Sequence, residues 1–400
     1  QLALCQCVCR SWLATASNER LWAARLSSDF GVEGRKTNPP EAGSPSPPTF
    51  PAPPPLRHSF TRAKSAWSCW RDTFRIQGGE FEKKLAVVRR MYLAVNDWKV
   101  GLNKVGLGCV ASSFADGLTP DELARVTSEV EASFDTPTSP ALAPGVPPPL
   151  ALQALWCFLG GQELEFDGDE ELSSSLFWGA LGGYSFYNNT VSMRMLPIRK
   201  AVAGTAALHQ RGVIPRDMRL LAANFNMHKR LFVNCTTGMV LVSPSSSPPH
   251  YQPACTGTPT DAQLLPNDVP LVLWLENFVH NLNYGVIAAE PLFPDLELET
   301  NINTLGVSLY PRYRELEIVD PAAAVEGPTC SRCVTHGVEV TCRPLYIPEM
   351  SDCNEEVDSA QLVFSYCISM RLLEGYHVTE CQLVRRHWVM RNAEGEVEDT

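Results

Sequence analysis

Leu362, Phe364, Tyr366, Ile368, Met370 and Leu372 alternate with Val363, Ser365, Cys367, Ser369 and Arg371. Side chains on an extended chain point to opposite faces in turn, so this stretch reads as a β-strand with one apolar face, and that face is expected to be buried. A strand of this kind needs paired neighbours and a layer over its apolar side. Val338, Val340 and Cys342 alternate ahead of it. Residues 382–390 read as a further strand, followed by Asn392-Ala393-Glu394-Gly395, which is turn chemistry. About four strands are visible by Thr400, whereas a sandwich commonly has about seven in about 100 residues. The C-terminal block, 331–400, is therefore expected to be part of a β-sandwich, with the chain stopping inside it.

The N-terminal three quarters of the chain have a different texture. Residues 35–59 and 137–149 are rich in Pro, and 243–262 in Ser, Pro and Thr. Such segments bury too little apolar surface to offset their ordering cost and read as linkers or inserts. A helix is expected over 80–102, with Phe81, Leu85, Val88, Tyr92 and Val95 on one face and Lys83, Lys84, Arg89 and Arg90 on a solvated side. Thr119-Pro120-Asp121-Glu122 is a helix start in which Thr119 caps and Glu122 completes a capping box. Another helix covers 150–158, with Leu150, Leu155 and Phe158 as core positions. Strands are expected at 191–196, 218–225, 231–235 and 239–242, joined by turns at 226–229 and 236–238. Asp268 caps a helix carrying Leu271, Trp274, Leu275, Phe278 and Leu282, which Gly285 ends. Helices flanking antiparallel strands define an α+β multidomain chain.

Net charge is −11, which disfavours a nucleic-acid or anionic-membrane partner. Every apolar run is interrupted before it is long enough to span a bilayer. The 14 cysteines are scattered and no leader is visible, which points to a reducing compartment, cytoplasmic or nuclear. Cys330, Cys333, Cys342 and Cys353 could offer four thiolates to zinc, but a second C-x-x-C is lacking and Cys342 lies in an alternating strand. No metal or cofactor is assigned. The glycines at 179, 182 and 183 do not have phosphate-loop spacing. Asp167-Gly168-Asp169 lacks the ligand spacing of a calcium loop. His387 has no nucleophile elbow nearby, so no catalytic residue is assigned either.

At the N-terminal end, Leu2, Cys5, Cys9, Trp12, Leu13 and Ala16 share a helical face, and Leu21, Trp22 and Leu26 make a second. Two such short helices need something else to complete their core. The run Val8-Cys9-Arg10-Ser11-Trp12 followed by Leu21-Trp22 resembles the second half of an F-box. The resemblance implies that Val8, Trp12, Leu13, Leu21 and Trp22 pack against the Skp adaptor of a Skp–cullin–F-box ubiquitin ligase. It also implies a Leu-Pro-rich first helix ahead of Gln1. The LTPDEL helix start, the text at 180–188, the strands over 220–235 and the helix over 273–287 resemble the SUKH superfamily. Tyr346 to Glu349, residues 363–370 and Arg386-His387-Trp388 with the turn after it resemble the ApaG domain, a fibronectin-type sandwich whose glycine-rich loop would follow Thr400.

This layout resembles the family containing F-box only protein 3 and the plant Skp-interacting F-box proteins. The organisation expected is a partial F-box (1–30), a Pro-rich linker (31–66), a helical connector (67–104), a SUKH-like domain with Pro/Ser-rich inserts (105–330) and a partial ApaG domain (331–400). Implied partners are the Skp adaptor with its cullin complex and a protein substrate, with no nucleic acid and no membrane. A protein-binding scaffold independent of ubiquitin is the alternative.

Overall fold

The computed structural model describes residues 80–134, 146–162, 179–186, 189–225, 227–244, 251–254, 260–292, 305–312, 330–347, 350–351, 363–377, 380–385, 389–391 and 397–399. They fall into two compact units, residues 1–309 with 347–363, and residues 310–346 with 364–400. The chain is α+β.

In the larger unit, helix α1 (Phe81–Lys104) buries Val87, Val88, Met91, Ala94, Val95, Trp98 and Leu102, which recur every three or four residues. Trp98 sits at the centre. Its ring meets Phe114 and Phe278 edge-on, and its indole N–H donates to the Ala180 carbonyl at 3.3 Å. The helix expected as a connector thus shares one core with the helices and strands of residues 105–309. Its basic side is not wholly solvated. Arg90 grips Glu276 through Nε at 2.7 Å and Nη2 at 2.5 Å, and Asp261 through Nη1 at 2.5 Å.

A short helix α2 (Gly108–Ser112) leads to α3 (Pro120–Phe134). The capping box is complete at the start of α3: Thr119 N–H donates to Glu122 Oε2 at 2.8 Å, and Glu122 N–H to Thr119 Oγ1 at 3.3 Å. Helix α4 (Leu150–Phe158) buries Ala151, Leu152, Ala154, Leu155, Trp156 and Cys157, while Leu150 and Phe158 lie at its margin.

Strands β1 (Gly183–Phe186) and β2 (Asn189–Ser192) form a hairpin. Strand β3 (Arg194–Met195) follows after one residue but belongs to another sheet, so the run expected as a single strand over 191–196 is split at Met193. Helix α5 (Ile198–Gln210) was not expected; its buried face is Ile198, Ala201, Val202 and Thr205. Then β4 (Met218–Ala223), β5 (Lys229–Asn234), β6 (Val240–Pro244) and β7 (Gln252–Pro253) complete a five-stranded antiparallel meander with β3 at one edge. The β4–β5 register slips between Leu220 and Ala222. Thr205 Oγ1 accepts the Leu220 N–H at 2.9 Å, so a bulge beside α5 leaves no orphan donor there.

At the β5–β6 turn Asn234 Oδ1 accepts the N–H groups of Thr236 and Thr237, both at 2.9 Å. Gly238 has φ +74°, and a Cβ there would overlap the Asn267 carbonyl. Helix α6 (Val269–Asn283) packs on α1 and ends near Gly285 at φ +70°. Strands β8 (Ala288–Pro291) and β9 (Leu305–Ser308) join the first hairpin in a four-stranded sheet ordered β2-β1-β9-β8.

Asp268 does not use its side chain to cap α6. Its Oδ1 accepts the Ala151 N–H at 2.6 Å and so caps α4, from 117 positions away. Helix α4 follows three prolines and has no capping side chain of its own, and a carboxylate answers both its free N–H groups and its dipole.

The smaller unit holds β10 (Ser331–Thr335), β11 (Val338–Tyr346) and β12 (Phe364–Leu372) in one antiparallel sheet, and the ribbon β13 (Val389–Arg391) with β14 (Val397–Asp399). The alternating stretch is a strand, as expected, but its apolar face is not buried. Phe364, Tyr366, Ile368 and Met370 are 58%, 40%, 45% and 39% exposed, whereas Ser365 is 8% exposed. On the polar side Ser365 is buried where Tyr310 Oη lies 2.5 Å from its Oγ, while Ser369 and Arg371 stay exposed, Arg371 reaching with Arg332 to Glu339. The strand expected over 382–390 is also corrected. Residues 382–385 are irregular and exposed, and among the described residues of this stretch Val389–Arg391 is the extended part.

Candidate interaction surfaces

Val8, Trp12, Leu13, Leu21 and Trp22 lie outside the described residues, as do Cys353 and His387. Of the described cysteines Cys330 lies close enough to Cys342 to feel its charge, but no third described ligand joins them. β10 runs extended from Ser331, with Ser331 opposite Cys342 and Cys333 opposite Val340. At about 3.3 Å per residue, Cys330 and Cys333 are drawn roughly 10 Å apart along the chain and to opposite faces of it. Among the described residues no group of three potential metal ligands forms, and no helix is long and apolar enough to cross a membrane.

Two buried ionisable groups were not singled out by sequence reasoning. The Lys229 amine stacks on the Tyr184 ring at 4.7 Å and donates to Tyr184 Oη at 3.1 Å. Burial lowers it to about 7. Burial likewise lifts Asp268 to about 6, against the pull of the Ala151 and Leu150 N–H groups. Each is enclosed by packed elements, the first between β1 and β5 and the second at the helix starts of α4 and α6. Both therefore act on stability.

Surface chemistry is more informative. In the smaller unit one face of the sheet gathers Phe364, Tyr366, Ile368 and Met370 opposite Tyr346, Pro344, Cys342 and Val340. The other face carries a charge ladder in which Arg371 and then Arg332 hold the Glu339 carboxyl below the usual carboxylate range. In the larger unit the β4–β5 hairpin tip exposes Phe225 and Met227 beside Arg194, whose guanidinium lies 5.3 Å from the Phe225 ring centroid. The sequence marked the turn at 226–229 but gave no sign of Arg194, which meets it only through the pairing of Arg194 with Ala223.

These elements define an α+β protein. Along nearly its whole length the chain is similar to the F-box protein SKIP16 of Arabidopsis thaliana, with 26% identity over 403 residues, spanning 98% of this chain and 78% of that protein. No family model matches the chain.

Proposed function

We propose that this chain is the substrate-recognition subunit of a Skp–cullin–F-box ubiquitin ligase, working in the cytoplasm, the nucleus or both. The observation that carries this reading is the similarity over 98% of the chain to an F-box protein, joined to the F-box-like run from Val8 to Trp22 at the N-terminal end. Val8, Trp12, Leu13, Leu21 and Trp22 would pack against the Skp adaptor, and the SUKH-like and ApaG-like parts would present surfaces to a protein substrate. The subunit would perform no chemistry itself. Its contribution is proximity: holding a substrate lysine near a charged conjugating enzyme turns a bimolecular encounter into a local one.

The test is co-purification of the full chain with the Skp adaptor, beside a Trp12→Ala/Trp22→Ala double variant. Adaptor retained by the wild type and lost from the variant is the expected result. A folded wild type that retains no adaptor would instead favour a scaffold independent of ubiquitin.

A further inference from the structure

At the edge of the five-stranded sheet, β3 places Arg194 opposite Ala223. Phe225, two residues further on, lies beyond the strand end, and its ring receives the guanidinium at 5.3 Å. The tip is held from within. Buried Asn224 accepts the Lys229 N–H on Oδ1 at 2.9 Å and the Met227 N–H on its carbonyl at 3.1 Å, and its own N–H donates to the Lys229 carbonyl at 3.0 Å. Met227 is held at φ +59°, a left-handed conformation that a non-glycine residue rarely takes. So fixed, Phe225 is 49% and Met227 37% exposed, with His228 exposed beside them.

Arg194 is half-buried, and among the described residues it makes no ion pair and no side-chain hydrogen bond. Desolvation lowers its pKa with no carboxylate to counter it. Arg90, Arg332 and Arg371, by contrast, each meet a carboxylate. A guanidinium stacked on an exposed ring and without a carboxylate among the described residues offers a site for an anion that a second molecule can supply. A long polyanion such as nucleic acid would be repelled by the rest of the surface. A short protein segment carrying one or two carboxylates beside an apolar side chain meets both requirements.

We infer that the β4–β5 hairpin tip is a docking point for an acidic segment of a partner protein, with Arg194 taking a carboxylate and Phe225 and Met227 an adjoining apolar side chain. The inference rests on the reading of this unit as a substrate-presenting surface and names the chemistry that surface selects.

The probe is a short fluorescein-labelled peptide of alternating Glu, Leu and Phe, titrated against the full chain by anisotropy. Two control peptides replace Glu by Lys, or Leu and Phe by Ser. The wild type is expected to bind the acidic apolar peptide and neither control. Arg194→Gln and Phe225→Ala are each expected to weaken binding roughly tenfold. Met227→Gly relieves the left-handed backbone, so it is expected to keep or raise the melting temperature while losing affinity severalfold. No binding by the wild type, equal binding of the lysine peptide, or unchanged affinity in folded Arg194→Gln and Met227→Gly proteins would overturn the inference. Adaptor co-purification is read separately, so loss of peptide binding with the adaptor retained counts against this site and not against the ligase reading.

Discussion

A buried lysine and a buried aspartate set opposite pH responses. The Lys229 amine is held near 7 in the folded chain, whereas a free lysine keeps its proton to about pH 10. Between these values the unfolded chain binds a proton that the folded chain releases, so stability rises with pH across that window. Lys229→Met is expected to raise the melting temperature near pH 7 and to flatten the rise above it. Thermal melts by circular dichroism over that window check this, and an unchanged slope would refute it. Asp268 works in the other sense. With its carboxyl lifted to about 6, its contribution is complete below about pH 4 and is lost as the pH climbs through about 6. Asp268→Asn keeps an acceptor for the Ala151 N–H and is expected to abolish that slope in urea titrations run on either side of pH 6.

Elements whose signals are local were legible in the sequence. The capping box at Thr119 and Glu122 formed as read, and Thr119→Ala is expected to cost about 1 kcal/mol in chemical denaturation. The turn at 236–238 also formed. Because Gly238 pairs a positive φ with a crowded Cβ position, Gly238→Ala is expected to cost about 2 kcal/mol or more by the same measurement. Weak or distant signals were missed. Helix α5 buries mainly small residues, Ala201 and Thr205 among them, which give little hydrophobic contrast along the chain. Strand β3 is two residues long. The Arg90 grip and the Arg194–Phe225 stack join residues far apart in sequence, so no periodicity announces them. The alternation in β12 identified the strand but not the exposure of its apolar face, because a pattern records polarity and burial depends on what covers each face.

Across the whole molecule, the open side of β12 is the largest departure from what the alternation implied. Aligned apolar side chains on a long strand favour self-association. Phe364→Glu with Ile368→Lys is expected to reduce dye binding to exposed apolar surface and concentration-dependent scattering, without shifting the melt of the larger unit. If both signals stay at wild-type levels, this face is not their source. The Asp268 carboxylate has a different reach. The Ala151 N–H in the first turn of α4 takes its acceptor from the start of α6. Order at the first turn of α4 is therefore expected to depend on the docking of α6. Amide exchange at Ala151 should accordingly follow the docking of α6 and not the local fraying of α4.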